Sequence, residues 1–470
     1  MKALTSAQLA DIVTIIQTGV VLTERDGLGE YAGDASLAEY PPDAVVRTKS
    51  VDELIELVKL AGRERFPLYP RGLGSSLSGG PVPVRGGVVI DMSVMDNVLE
   101  IDDEDLVAVV SPGVVTAAIH AAAEAKGLMY PPDPSSSHVS TIGGNMAENA
   151  GGPRGLKYGV TKDYVIGLEV ITPEGELIRT GGRTVKNVTG YDLTKLIVGS
   201  EGTLGLIVRA VLRLIPKPPA AATVAATFNS LVDAGSAVTR ILRSGLLPSK
   251  LELMDQASIA AVEQYEPCGL PTDAAALVLI ELDGHPAAVR DEAEQAARLC
   301  REAGALGVDV PRTKREQERA WRARQLISPA VARLKPVKLS EDATVPRSQI
   351  PHMCRRLQQI AAKYNVLMVV FGHAGDGNLH PNILADDADR DEMRRAELAA
   401  AEIFEAAVQL GGTLSGEHGI GLLKARFMEM ELGAAGVDMM RRIKQAWDPA
   451  GIMNPGKIFP DSPHSEQTMI

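Results

Sequence analysis

The sequence predicts a mixed helix-and-strand protein of two or three domains. Residues 40–215 are dense in short Val/Ile runs punctuated by Gly and Pro, as in RGGVVIDMS and DLVAVVSPGVV. A Pro-rich break, IPKPPAA at 215–221, marks a boundary. Beyond it, strand and helix patterns alternate. At roughly 150 residues per domain, 470 residues give two large domains or three ordinary ones. With 45% hydrophobic and 23% charged residues the chain is globular, which excludes wholesale disorder.

The elements follow in order. Leu9, Ile12, Val13 and Ile16 have helical spacing, and Thr5 with Gln8 can form a capping box. VDELIELVKLAGRE (51–64) puts Leu54, Leu57, Val58 and Ala61 on one helical face. VVTAAIHAAAEAKG ends in Gly127 as a C′ residue. Pro-Glu-Gly at 173–175 between β-branched runs is a hairpin turn. After the break come the strand TVAATF, the helix SLVDAGSAVTRILRSG, the strands SKLELMD and ALVLIELD, and the helix PAAVRDEAEQAARLCREAG. That alternation indicates an α/β or α+β domain with helices covering a sheet on one side. Residues 412–460 return to Gly-rich loops and end in NPGKIF before a polar tail.

Charge and cysteine content narrow the class. A net charge of −12 repels phosphate backbones, which argues against nucleic-acid binding. Cys268, Cys300 and Cys354 lack CxxC spacing and read as reduced thiols. Asp11 and polar neighbours interrupt the N-terminus where a signal peptide needs an apolar run, and no stretch reaches the ~18 apolar residues of a membrane span. The expectation is a soluble cytoplasmic protein without an integral membrane segment, peripheral membrane association being the alternative.

Glycines concentrate in three stretches: PRGLGSSLSGG (70–80), PPDPSSSHVSTIGGNMAENAGGPRGLKYG (131–159) and VGSEGTLGLI (198–207). In the first, Gly72, Gly74, Ser75 and Ser76 let backbone N–H groups converge on an anion. It is not a Walker loop, since no Gly-Lys-Ser/Thr closes it, and Leu77 stands where the dinucleotide fingerprint needs its third glycine. Any one stretch could be a surface turn. Three in one domain point to a large dinucleotide-like ligand lying along the backbone.

FGHAGDGNLHPN (371–382) carries a second chemistry. With Asp376-Gly377 as a two-residue hairpin turn, His373 faces His380 across the strands, and opposed Cβ atoms lie about 4.5–5.5 Å apart, close enough to share a metal ion. Asn382 shares that face. GTLSGEHGIG (412–421) adds Glu417 and His418, whose adjacent side chains diverge and so take different jobs. Two imidazoles and a carboxylate suit a catalytic metal with an open position; no Cys is near and no H-E-x-x-H motif is present. Zinc fits this set, with manganese or iron as alternatives. In KREQERAWRARQLISPA, Trp321, Arg324 and Ser328 share a helical face, and Lys338 follows in KLSEDATVP.

Taken together, PRGLGSSLSGG, PDPSSSHVSTIGGNMAENAGG, KYGVTKDYV, GSEGTLG and the two histidine motifs resemble the vanillyl-alcohol-oxidase/PCMH flavoprotein superfamily. Within it, the chain is similar to the branch of the glycolate oxidase FAD subunit, D-lactate dehydrogenase and D-2-hydroxyglutarate dehydrogenase, from about Tyr31 to Phe459. The resemblance implies an α+β fold: a PCMH-type two-part FAD-binding domain (1–218), an α+β cap domain for substrate (219–412), a C-terminal helical segment closing on the FAD domain (413–460), and a tail (461–470). It implies FAD held by Pro70, Arg71, Gly72, Gly74, Ser75, Ser76, Pro132, Asp133, Ser135, Thr141, Gly143, Gly144, Asn145, Asn149, Gly152, Tyr158, Glu201, Gly202, Gly205, Ile207 and Asn454. The first loop has no His, so the FAD is expected to be non-covalent.

Residue by residue, the resemblance also implies metal ligands His373, His380 and Glu417, base His418, and substrate contacts Arg324, Ser328, Lys338 and Asn382. Ser328 stands where relatives often have Thr, and Lys338 is two residues further from Asp342 than in the hydroxyglutarate branch. The implied reaction is FAD-dependent oxidation of a D-2-hydroxy acid to the 2-oxo acid. The chain has no Cys cluster for its own iron–sulfur centre. Electrons must therefore leave to another acceptor: an iron–sulfur subunit, an electron-transfer flavoprotein, a quinone or a cytochrome. A homodimer is compatible with this reading. Alternatives are a FAD subunit of a multi-subunit glycolate oxidase, a non-redox alkyl-glycerone-phosphate synthase-like flavoenzyme, which has no need of the metal triad, and a metallohydrolase, which leaves the glycine-rich stretches unexplained.

Overall fold

The computed structural model describes residues 3–459, so the tail at 461–470 lies outside the described residues. The chain forms two compact units. One takes the chain up to Ala150, Val160–Lys217 and the chain from Glu417 onward; the other takes Gly151–Gly159 and Pro218–Gly416. The assignment of 151–159 to the second unit was not legible in the sequence. Lys157 Nζ and Tyr158 OH both bond the Asp283 carboxylate, at 2.5 and 2.8 Å.

In the first unit, a four-stranded sheet runs Val20–Leu22, Ala44–Arg47, Val88–Asp91, Leu68–Arg71, with parallel pairings on both sides of Val88–Asp91. Helix Val51–Glu64 connects two of these strands. Ser50 caps its N-terminus and Arg65 closes it at φ 61°. Leu54, Leu57, Val58 and Ala61 are fully buried, as the spacing predicts; each large side chain so buried contributes ~1.5–3 kcal/mol. The capping box of Thr5 and Gln8 is present on helix Ser6–Ile15. Its apolar stripe is narrower than the spacing predicts, since Ile12 is buried while Val13 is 54% exposed.

A second, antiparallel sheet in this unit runs Val98–Asp102, Val107–Val110, Leu206–Arg213, Val165–Ile171, Leu177–Gly181. The turn at 173–175 joins the last two strands, with Gly175 at φ 77°. The C-terminal segment is stitched into this unit: Leu68 N–H donates to Ile452 O, and Asn454 N–H to Leu68 O, both at 2.8 Å.

The second unit is built on an eight-stranded sheet. Its order is Gly307–Asp309, Ala220–Phe228, Ala276–Gly284, Lys250–Asp255, Leu367–His373, Asn378–Ala385, Val337–Ser340, with Ala343–Thr344 also pairing to Asn378–Ala385. All its pairings are antiparallel. Helices Leu231–Arg243, Pro286–Glu302, Ile350–Tyr364 and Arg390–Gln409 pack on the sheet and on each other. A separate cluster joins Met254, Leu277, Leu279, Val369, Phe371 and Leu384 to helices Gln256–Tyr265, Lys314–Gln325 and Ile327–Val331. The one-sided cover expected from alternation is thus supplemented by these three helices. Side-chain alternation puts Glu252, His373, His380 and Asn382 on the same face as that cluster.

Candidate functional site

The histidine hairpin differs from the predicted one in register. His373 pairs with Asn378 and Phe371 with His380, so four residues, Ala374–Gly377, form the connection. A two-residue type I′ turn needs positive φ at both central positions; here Gly377 has φ 93° and Asp376 is not in that region. Gly377 serves a close approach instead, since a Cβ there would collide with the Val345 carbonyl. A shift of two residues preserves the face. His373 and His380 are therefore diagonal neighbours, with ring centroids 5.0 Å apart and planes at 85°. They are 2% and 6% exposed.

Each imidazole has a buried carboxylate beside it. In the neighbouring strand Leu253 pairs with Gly372, which sets Glu252 next to His373. Glu252 Oε1 lies 2.7 Å from His373 Nδ1, and its other oxygen accepts from Arg324 Nε at 2.5 Å. Burial alone would raise the Glu252 pKa, but His373 and Arg324 outweigh it and hold the carboxyl at about 2. Asp342 Oδ1 stands 3.9 Å from His380 Nδ1. Its Oδ2 accepts the Ser415 hydroxyl and the Gly416 N–H, each at 2.8 Å. Glu417 and His418 follow directly in the chain.

The predicted substrate contacts are distributed as follows. Helix Lys314–Gln325 ends at Leu326, and Ile327–Val331 starts a new short helix. Trp321 Nε1 donates to Thr223, Arg324 reaches Glu252, and Ser328 accepts from Lys338 Nζ at 3.1 Å. Arg324 Cζ lies 5.1 Å above the Phe371 ring. Lys338 is lowered from its ordinary pKa by burial, with no acid opposing the shift. Register sets Lys338 opposite Leu384 and Ser340 opposite Asn382. The Asn382 amide is engaged by the Ser340 hydroxyl (2.6 Å) and the His380 carbonyl (2.9 Å).

In the first unit, the three glycine-rich stretches are interlocked. Asn454 Nδ2 donates to Gly80 O and Glu201 O. Both Glu201 carboxylate oxygens accept from the His418-bearing loop, at Ile420 N–H (2.7 Å) and Gly421 N–H (2.6 Å). Thr141 caps helix Ile142–Glu148, and a Cβ at Gly72 would collide with its hydroxyl. Asn145 bonds Thr116 and Asn149 accepts from Lys162 N–H. Gly202 lies against Pro70, and Gly205 against Ile171 O. The Arg71 guanidinium holds the carbonyls of Gly33 and Glu30. Gly152 and Tyr158 belong to the second unit.

Burial and the charge of Glu201 push the Glu148 carboxyl well above the usual range, and burial brings Lys457 down to about 7. Ser140 Oγ, Glu148 Oε2 and Asn454 Oδ1 are buried without a hydrogen-bond partner among the described residues. Such orphaned groups beside small-residue loops suit a polar ligand, and so fit the flavin expectation. Sequence reasoning missed Glu252, Glu148 and Lys457. For Glu252 the available signal was an acid inside the apolar run LELM.

The comparisons match this architecture in two parts. Residues 42–181 match the FAD binding domain, and residues 217–458 match the C-terminal domain of FAD linked oxidases. The chain is 48% identical to glycolate oxidase subunit GlcD of Bacillus subtilis, over 89% of each chain. The chain belongs to the FAD-linked oxidases.

This FAD-linked oxidase is also 34% identical to D-2-hydroxyglutarate dehydrogenase of Stutzerimonas stutzeri, over 96% of this chain and 99% of that one. It is 36% identical to D-lactate dehydrogenase of Archaeoglobus fulgidus, over 88% and 90%. Among solved structures, p-cresol methylhydroxylase with substrate bound superposes with a TM-score of 0.81 at 19% identity, over 97% of this chain and 98% of that one. Alkyldihydroxyacetonephosphate synthase gives 0.76 at 19%, over 97% and 87%. At that identity the likeness concerns the fold. No described helix of this oxidase is long and apolar enough to cross a membrane.

Proposed function

We propose that the chain oxidises a D-2-hydroxy acid, of the D-lactate, glycolate or D-2-hydroxyglutarate class, to the 2-oxo acid with non-covalent FAD. The observation that carries this reading is the pair of buried imidazoles in one unit with the buried Arg324, in a chain whose relatives are named for these acids. His373 and His380 offer nitrogen donors from one sheet face, and Glu417 is the proposed third ligand of a divalent ion, zinc being the first candidate. FAD would lie on the loops containing Pro70–Ser76, Thr141–Asn149, Glu201–Gly205 and Asn454.

The residues then have distinct tasks. Among the described residues, Arg324 bonds Glu252 through Nε and Lys338 bonds Ser328 through Nζ. These two cations hold the substrate carboxylate, with Asn382 on the same sheet face as Lys338 and Ser328 bonded to Lys338 Nζ. His418 removes the hydroxyl proton, for which a neutral imidazole is suited near pH 7. A divalent ion on this donor set supplies Lewis acidity toward the hydroxyl and carboxylate. FAD, when bound, takes up the two electrons and the hydrogen leaving Cα.

The test is anaerobic bleaching of the flavin absorbance by glycolate, D-lactate, D-malate, D-2-hydroxyglutarate and their L-enantiomers. One or more of these acids should bleach it, and His418→Ala should keep its FAD while losing the bleaching. A protein that binds FAD yet is bleached by none of the panel refutes the proposal. A second reading, the FAD-bearing subunit of a larger oxidase, is favoured by the word "subunit" in the Bacillus relative's name. It expects bleaching with slow turnover until an electron-accepting partner is supplied.

A further inference from the structure

Glu252 and Asp342 are both wholly buried acids without a role in the proposed reaction, and Glu252 is the one that touches a substrate-binding candidate. Glu252 is 0% exposed in a central strand, between the metal-binding face and the anion anchor. Its two oxygens are divided between His373 Nδ1 at 2.7 Å and Arg324 Nε at 2.5 Å. The contacts close into a ring. Arg324 lies over Phe371, the Phe371 and His380 ring centroids are 5.7 Å apart, and the His380 and His373 centroids are 5.0 Å apart. Every member belongs to the same unit.

We propose that Glu252 is a positioning residue that couples the metal-binding imidazole to the substrate-binding guanidinium. This rests on the proposed function and deepens it. By accepting from Nδ1–H, Glu252 fixes the His373 tautomer in which Nε2 carries the lone pair, the arrangement in which a carboxylate orients a metal-ligating imidazole. By accepting from Nε–H, it fixes the guanidinium plane and leaves the two terminal nitrogens for a carboxylate. One carboxylate charge therefore serves two cationic demands. When a cation draws on it through His373, less of it screens Arg324, so Arg324 attracts the substrate anion more strongly. Such coupling is reciprocal: substrate on Arg324 tightens metal binding.

The experiment uses the full-chain, FAD-loaded protein and compares Glu252→Gln with Arg324→Met. Zinc affinity is measured by chelator competition with zinc alone, and KM and kcat by steady-state oxidation of an acid that bleaches the wild type. Glu252→Gln should lower zinc affinity by about 10–100-fold, the usual loss for such a partner, and raise KM. Arg324→Met should also raise KM, but it leaves the whole Glu252 charge to His373 and so should raise zinc affinity several-fold. Opposite signs on zinc affinity are not produced by general structural damage. Zinc affinity that falls in both variants, or stays unchanged in Glu252→Gln, overturns the proposal. Should either variant fail to retain FAD, Glu252→Gln/Arg324→Met removes both charges together. It must still show weakened zinc binding, and wild-type affinity there is equally fatal. A wild type that neither binds zinc nor is bleached by any 2-hydroxy acid refutes the parent reading instead.

Discussion

Gly419 follows His418 directly, and its replacement by Ala tests how that loop is held. Gly419 has φ 80°, and a Cβ there would collide with Glu148 Oε2. The Glu148 carboxyl cannot move away freely, since its other oxygen accepts the Ser76 hydroxyl at 3.1 Å and Glu201 pins Ile420 and Gly421 beyond. An L-residue in this region costs ~1–2 kcal/mol, and losing the Ser76–Glu148 hydrogen bond ~0.5–1.5 kcal/mol. Gly419→Ala should therefore cost about 2–3 kcal/mol in urea unfolding of the FAD-loaded protein. Flavin reduction by substrate should slow because His418 is displaced. In a Glu148→Ala background the collision is gone and only the backbone strain remains, so a double-mutant cycle should show a coupling of ~1 kcal/mol. Additive effects, or a Gly419→Ala protein as stable as wild type, would refute the contact as described.

Two further outcomes are expected. His373→Ala should lower the bound metal found by elemental analysis while leaving FAD content unchanged; full metal occupancy would remove His373 from the ligand set. Asp255 gives a pH signature: burial raises its carboxyl to about 6, against the hydrogen bonds from Ser258 and Val370. The fold favours its neutral form, so this contribution is complete below pH ~3.8 and is lost as pH rises through ~6. Measured against Asp255→Asn, wild type should lose up to ~3 kcal/mol between those values, and a pH-independent difference would sink the assignment.

Much of the local structure was legible because its causes are local. The capping box at Thr5 and Gln8, the buried face of Val51–Glu64 and the turn at 173–175 depend on residues within a few positions of each other. The hairpin register was not, because Asp-Gly also fits a longer connection. The deciding contact, Gly377 against the Val345 carbonyl, comes from a strand end 32 positions earlier in the sequence. The error was harmless to the chemistry for a geometric reason. Strand side chains alternate with period two, so a slip of two residues kept both imidazoles on one face, whereas a slip of one would have separated them.

The same distinction explains which polar groups the sequence singles out. His373, His380, Glu417 and His418 stand in glycine-rich stretches that set them apart in the sequence. Glu252 does not, since its flanking residues Leu251 and Leu253 are what any buried strand carries. Its contacts arise from strand order, which sets residue 252 beside 373, and from a helix that returns Arg324 to the same face. A single buried carboxylate with only one of these partners would be costly. That both partners converge from 121 and 72 positions away is the reason to regard the three as one unit. The overall charge of −12 bears little on the anionic substrate, since exposed charges are screened within about 8–10 Å in physiological salt. On the proposed reading, attraction comes from the buried Arg324, whose Nε is paired with Glu252 at 2.5 Å.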